Sequence, residues 1–244
     1  MFDSEADRTL DKEIYSSQDY ISNPKEIHKK VVSLIQNHPT LPIKAKILDV
    51  GCANGAFLLL LSKMLPDHNL QMTGLDLHAN LLEMAKENMT QSAIKLETIC
   101  CSLEQVRPDI GLFNIITSLG TFSIFDNFSV PFQKLYSLLA KGGSIIISTE
   151  FNDFPIDVVM RYKDARKDNS EFEKGWNIFS KYLVEKILKN YPDLAYQWID
   201  FKMPFAREKH ASDFMRTWTI KTEHDNFQQV NGAQQLVNQS ILYV

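Results

Sequence analysis

Cysteine is scarce in this chain: three residues among 244, Cys52, Cys100 and Cys101. Two of them are adjacent and no C-x-x-C pair occurs, so neither a disulfide framework nor a thiolate zinc site is expected. A reducing cytoplasm is the simplest setting. Long apolar runs are missing too. The longest, such as "FLLLL", fall far short of the roughly 20 residues that a membrane-spanning helix needs, so no membrane partner is expected. The opening "MFDSEADRTL" is charged and carries no apolar stretch of the secretory-signal kind. Neither sign of charge dominates. Lys and Arg number 26 against 30 Asp and Glu, a formal net charge of -4, which gives no global electrostatic case for binding nucleic acid. Histidine is absent between His78 and His210, which removes it from the middle of the chain as a candidate base.

What is present reads as one α/β domain with extra segments: 44% hydrophobic and 23% charged residues can build a sizeable core. Residues 1–42 are expected to form a helical cap, 43–150 a ligand-binding core, and 151–244 lid segments and C-terminal strands. In the cap, "SNPKEIHKKVVSLIQNHP" predicts a helix capped by Asn23, with Ile27, Val31, Val32, Leu34 and Ile35 as its apolar stripe. His28, His38 and His68 are expected to face solvent. From Lys46 onward strands and helices alternate: "KILDVG", a helix through Met64, "LQMTGLD", the helix "HANLLEMAKENM", "IKLETIC", "FNIITSLG", the helix "VPFQKLYSLLA", a turn at Gly142 and Gly143, and "GSIIISTEF". Strands rich in Ile and Leu between helices imply a parallel, doubly wound sheet covered on both faces. After Phe151 the rhythm breaks. A lid or short helices are expected over 152–174, then the helix "NIFSKYLVEKILKNY", a sixth strand "YQWIDFKMPF", a hairpin in "MRTWTIKTEHDNFQQVNG" and a terminal strand "SILYV". Cys100 and Cys101 are expected to pack in the core, as are Trp176, Trp198 and Trp218 there or at its rim.

The stretch "ILDVGCANGAFL" carries the chemistry. It joins the first strand to an apolar helix through small residues, and in a doubly wound sheet such a turn lies where ligands bind. Gly51 and Gly55 let a ligand approach the backbone. Asp76 ends the second strand, where an acid hydrogen-bonds ribose hydroxyls, although an aspartate there also serves as a helix cap. An adenosine-containing ligand follows. A dinucleotide would want glycine at Ala53 and would be opposed by the charge of Asp49. S-adenosylmethionine has no phosphate, and its cationic sulfonium and amino group favour that acid.

"LDVGCANG" resembles the D/E-x-G-x-G-x-G motif of class I S-adenosylmethionine-dependent methyltransferases, with Ala53 at the middle glycine. "TGLDLHANLLEMAKEN" resembles the second motif, "FNIITSLGTFSIFDN" the strand-four motif, and "LLAKGGSIIIS" the segment running through strand five. Four motifs in order, over residues 43–150, make a specific signal. The resemblance implies an α/β, doubly wound, mostly parallel seven-stranded sheet with lid insertions. It implies S-adenosylmethionine as cofactor and S-adenosylhomocysteine as product. It also implies roles by position. The turn of Gly51, Cys52, Ala53, Asn54 and Gly55, with Asp49 before it, would meet the methionine part. Asp76 would hold the ribose and Leu77 would pack on adenine. The place after strand three where many members carry an acid reads "CCSLE", so Cys101, Ser102 or Leu103 stands there. Ser118 and Leu119 would lie beside the methyl donor, and Tyr20 would belong, by analogy, to a lid.

Methyl transfer from a sulfonium asks the protein mainly to position the nucleophile and exclude water. A base is needed only where the acceptor holds its proton. His210 and Glu150, at the tip of strand five, are the candidates. No metal is expected, because Ser118 stands where catechol-type enzymes place a metal-binding aspartate. N-P-P-Y and D-P-P-Y are absent, the position reading "SLGT", so base amino-methylation of nucleic acid is disfavoured. Three segments can close over the site: the stretch with Tyr15 and Tyr20, residues 151–174 and residues 204–237. They carry Arg161, Lys163, Arg166, Lys167, Arg207, Lys209 and Arg216, which could hold an anionic acceptor, diluted by Asp157, Asp164, Asp168, Glu171 and Glu173. The expected reaction is methylation of a small molecule at oxygen, a carboxylate or hydroxyl. Methylation of RNA or protein, binding of the cofactor without catalysis, and a dehydrogenase are the alternatives.

Overall fold

The computed structural model describes residue 15 and residues 20–166, 168, 171–209, 217–222 and 226–244. The first helix, α1 (Glu26–Gln36), buries Ile27, His28, Val31, Val32 and Ile35 along one stripe. Lys25, not Asn23, is its N-cap residue and no side chain caps it. The core then alternates: β1 (Lys46–Val50), α2 (Ala56–Met64), β2 (Gln71–Asp76), α3 (Ala79–Gln91), β3 (Leu96–Cys100), β4 (Phe113–Leu119), α4 (Ser129–Ser137) and β5 (Leu139–Asn152). Expected as a turn, Gly142 and Gly143 instead lie inside β5. The β4–β5 register shifts there, between Phe113 and Ile115, and Gly142 takes a φ of 73°.

β1 to β5 pair in parallel in the order β3-β2-β1-β4-β5. Successive side chains of a strand point to opposite faces, and here both faces are covered. Leu48, Ile116, Ile145 and Ile147 pack in one cluster with Phe132 and Leu135 of α4. Their neighbours Ile47, Ile115 and Ile146 join α1, α2 and α3 residues in the other. The doubly wound α/β sheet is therefore built by alternation between two aliphatic sides.

Downstream come the short strands β6 (Arg161–Tyr162), β7 (Glu173–Lys174) and β8 (Phe179–Ser180), then α5 (Lys181–Leu188), β9 (Gln197–Phe201), β10 (Trp218–Lys221), β11 (Phe227–Val230) and β12 (Leu236–Tyr243). In place of helices, 152–174 holds an antiparallel β6–β7 ribbon. α5 starts four residues later than "NIFSKYLVEKILKNY" suggests. Asn177 is fully buried; it accepts the Met160 N–H at 2.7 Å and donates to the Phe125 carbonyl at 2.7 Å. Phe179 pairs with Phe151, and Ser180 becomes the N-cap, accepting the Leu183 N–H at 3.1 Å. Tertiary hydrogen bonds override the helical pattern.

β12 runs antiparallel between β5 and β9, completing the seven-strand path β3-β2-β1-β4-β5-β12-β9. The expected hairpin, β10 and β11, extends this sheet: Val230 and Gln229 pair with the start of β12. With β8 beside β5, the sheet has ten strands among the described residues. None of the described helices is long and apolar enough to cross a membrane.

Candidate active site

The turn after β1 is tied to β2. The N–H groups of Gly51 and Cys52 both donate to the Leu75 carbonyl, at 2.8 and 3.1 Å. Gly51 has φ 75°, and a Cβ on it would lie 2.0 Å from Thr121 Oγ1. Thr121 in turn donates to the Val50 carbonyl at 3.0 Å. Glycine is thus required both by conformation and by space. Ala53 also takes a left-handed φ, 48°, uncommon for a residue with a side chain. Its N–H donates to Asp76 Oδ2 at 2.9 Å. The other oxygen of Asp76 accepts the His78 N–H at 2.9 Å and stands 3.1 Å from His78 Nδ1. Asp76 thus bridges the two loops, while the N-cap of α3 is His78 with no side-chain cap.

A cavity of about 280 Å³ opens over this junction, at the carboxyl ends of β1, β2, β4 and β5. Of the residues expected to hold a cofactor, Gly51, Ala53, Asp76, Leu77, Cys101, Leu103, Leu119 and Tyr20 line it. The remaining ones lie behind the wall. Asp49 is buried beneath the turn, accepting Thr117 Oγ1–H at 2.7 Å. Burial raises its pKa to about 7. Cys52 packs against Gly74, where a Cβ would meet its sulfur at 2.7 Å. The Asn54 carbonyl accepts from Asn88 Nδ2 at 3.0 Å. Gly55 starts α2 with φ 76°, its Cα facing Ala85. Ser102 and Ser118 are buried, and their hydroxyls have no hydrogen-bond partner among the described residues. Cys100 is exposed, contrary to the expected core position, because its strand lies at the sheet edge beyond β2.

Glu150 lines the same cavity, as do Thr149, Gln229, Gln239, Thr217 and Arg207. Its Oε2 accepts Asn231 Nδ2–H at 3.0 Å. Burial pushes its pKa up to about 7, and the Asn231 bond restrains that rise. His210, the other candidate base, lies outside the described residues, as do Arg216 and Lys167. Basic lid residues have partners elsewhere: Arg161 and Lys174 bind Asp126 at 2.8 and 3.3 Å, and Arg166 binds Asp164 at 2.7 Å. Of the basic side chains expected to meet an acceptor, Arg207 reaches the cavity wall.

His28 was expected in solvent and is buried on the wall. Its ring meets Phe57 edge-on, centroids 5.5 Å apart. Nδ1 has no partner among the described residues. Burial first, then the nearby Lys25 charge, hold its pKa well below the usual value, so it is a neutral imidazole at neutral pH. The signal was in the spacing. Residues 28, 31, 32 and 35 follow the i, i+3, i+4, i+7 stripe of a buried helix face. Lys25 itself donates to the Tyr15 hydroxyl at 3.0 Å and lies over the Tyr15 and Tyr20 rings, 4.6 and 4.4 Å from their centroids.

A doubly wound sheet with a small-residue turn after β1, an acid ending β2 and both on one cavity defines the class I methyltransferase architecture. Residues 47–143 match the family model described as a methyltransferase domain. Among curated relatives, the chain is 32% identical over 137 residues to a malonyl-[acyl-carrier protein] O-methyltransferase of Priestia megaterium, covering 55% of this chain and 48% of that one. It is 29% identical over 115 residues to a ubiquinone biosynthesis O-methyltransferase of Coxiella burnetii, covering 47% of each. The chain thus spans about half the length of these relatives. In fold it is similar to an S-adenosylmethionine-dependent methyltransferase of Clostridium acetobutylicum (TM-score 0.56, 15% identity, 96% and 94% of the two chains). DhpI in complex with SAH gives a TM-score of 0.54 at 12% identity, with the same coverage.

Proposed function

We propose that this protein is an S-adenosylmethionine-dependent methyltransferase that acts on a small molecule at oxygen, with the cytoplasm as its compartment. One observation carries the reading: a single cavity joins the Gly51–Ala53 turn and Asp76 to Glu150. The residues present fit the cofactor. Gly51 leaves its backbone bare because Thr121 fills the space a side chain would need. Asp76 presents a buried carboxylate on the wall, and Leu77 and Leu103 give it apolar surface. In this reading Asp76 holds the ribose, Leu77 and Leu103 flank the adenine, and the Gly51 turn meets the methionine part. When bound, S-adenosylmethionine would supply an activated methyl on its sulfonium for transfer to the acceptor oxygen. Glu150 takes the proton of a hydroxyl acceptor at its cavity-facing carboxylate, whereas a carboxylate acceptor needs no such step. The curated relatives are named as O-methyltransferases, which supports oxygen over nitrogen or carbon.

Calorimetric titration with S-adenosylmethionine and S-adenosylhomocysteine, with NAD as control, tests the proposal. The first two are expected to bind and NAD is not. Asp76→Ala removes the ribose contact and is expected to weaken binding at least about tenfold, in line with the loss of hydrogen bonds to a charged group. Absence of binding to either adenosyl ligand refutes the reading.

A further inference from the structure

Asn231 lies between two elements that are distant in sequence. It is fully buried. Its Oδ1 accepts the backbone N–H groups of Ala233 and Gln235, at 3.0 and 3.1 Å. These two donors fix which end of the amide is oxygen and leave Nδ2 as the donor side. Nδ2 donates to Glu150 Oε2 at 3.0 Å and to Gln235 Oε1 at 2.8 Å. The turn after β11 therefore aims a donor at one oxygen of Glu150. The cross-strand neighbour of Glu150, Gln239, is directed elsewhere and donates to Ser148 Oγ at 3.2 Å. Oε1 of Glu150 has no hydrogen-bond partner among the described residues, and the side chain lines the cavity.

Resting on the methyltransferase reading, we infer that Glu150, positioned by Asn231, selects an acceptor that presents an uncharged hydroxyl at this end of the cavity, not a carboxylate. The Nδ2–H bond fixes the carboxyl plane and leaves Oε1 to accept from the incoming group. An anionic group placed there meets a half-buried acid on the cavity wall. The other acidic and basic side chains described on the wall are Lys25, Glu26, His28, Asp76, His78 and Arg207, and none contributes resolvably to the titration of Glu150, which follows burial and Asn231. Asn231 is thus a positioning residue, while Glu150 is the group that touches the acceptor.

Two measurements test this on the full chain saturated with S-adenosylhomocysteine, whose binding is established first. Failure of that binding overturns the methyltransferase reading itself; the outcomes below bear on the inference alone. Phenol and benzoate are titrated at a slightly alkaline pH, followed by ligand-observed NMR. Phenol is expected to bind at least tenfold tighter than benzoate, and Glu150→Gln to reduce that ratio to near unity. Benzoate binding as well as phenol, no phenol binding, or an unchanged ratio in the variant overturns the inference. The role of Asn231 is read from the titration midpoint of Glu150 in protein labelled with carbon-13 at glutamate carboxyls, the signal being assigned by its loss in Glu150→Gln. Asn231→Asp keeps the oxygen that holds the turn, lets Gln235 reverse its amide to donate, and removes the donor to Glu150. The midpoint is expected to rise by at least one pH unit. Asn231→Ser, which keeps a turn acceptor without the amide, is expected to raise it too and serves if the first variant fails to fold. Midpoints that stay in place mean that Asn231 only holds the turn.

Discussion

Replacing Glu150 by Gln is expected to stabilise the protein above neutral pH and to change little in acid. Burial raises the Glu150 pKa from 4.5 to about 7. Between those values the folded chain keeps a proton that the unfolded chain releases. The unfolded state binds fewer protons there, so stability falls as pH rises through the window and is fully retained below it. The rise corresponds to about 3 kcal/mol at 1.36 kcal/mol per pH unit, and contact with cavity water reduces this to about 2. Glutamine has nearly the same shape and its amide oxygen still accepts from Asn231, but it cannot ionise. The difference between variant and parent should therefore open between about pH 4.5 and 7 and reach about 2 kcal/mol in the variant's favour. Asp49, whose pKa is also raised to about 7, titrates in the same window. It is common to both proteins and cancels in the difference. Urea unfolding at a series of pH values measures this directly. A pH-independent difference, or a parent more stable than the variant above neutrality, would refute the claim that Glu150 is held in a desolvated site.

The turn yields two further tests. Gly51→Ala is expected to lose about 2–3 kcal/mol, from a left-handed φ and displacement of the Thr121 hydrogen bond. In a Thr121→Ala background the clash with the hydroxyl is gone and the conformational part remains with a tight 3.1 Å approach to Cβ, so the penalties should be clearly non-additive in a double-mutant cycle. Additive penalties would show that the two residues do not compete for the same space. Ala53→Gly should gain about 0.5–1 kcal/mol, because relief of the left-handed conformation exceeds the added chain entropy of glycine. A loss of stability in urea unfolding would remove strain at Ala53 as an explanation.

The parallel half of the fold was legible because its signals are local. Ile47 and Leu48, Ile115 and Ile116, and Ile145 to Ile147 divide between two faces by strand geometry alone. The Gly51 turn and Asp76 are separated by one helix, so their meeting follows from the β1–α2–β2 unit. What stayed hidden depends on contacts that sequence spacing does not encode. The late start of α5 follows from Asn177 bonding to Met160 and Phe125. The retreat of Asp49 behind the wall follows from Thr117, on a strand 68 residues away. The burial of His28 was readable from its stripe, but a single histidine among Lys29 and Lys30 looks like part of a solvated face until α1 is seen against Phe57.

The Glu150 end of the cavity is the least legible part, and the sheet explains why. Glu150 ends β5, and β12 pairs with it in a register that sets Gln239 opposite Glu150. β11 pairs only with the first residues of β12, Gln229 with Val237 and Val230 with Leu236. The residue after Val230 is Asn231, so it emerges beside the end of β5, 81 residues from its partner in sequence. Read as a lid, the 204–237 segment would bring acceptor contacts on a mobile loop. Paired into the sheet through β12, the β10–β11 hairpin is held by strand hydrogen bonds instead. On the same cavity wall, Lys25 donates to the Tyr15 hydroxyl and lies over the Tyr15 and Tyr20 rings.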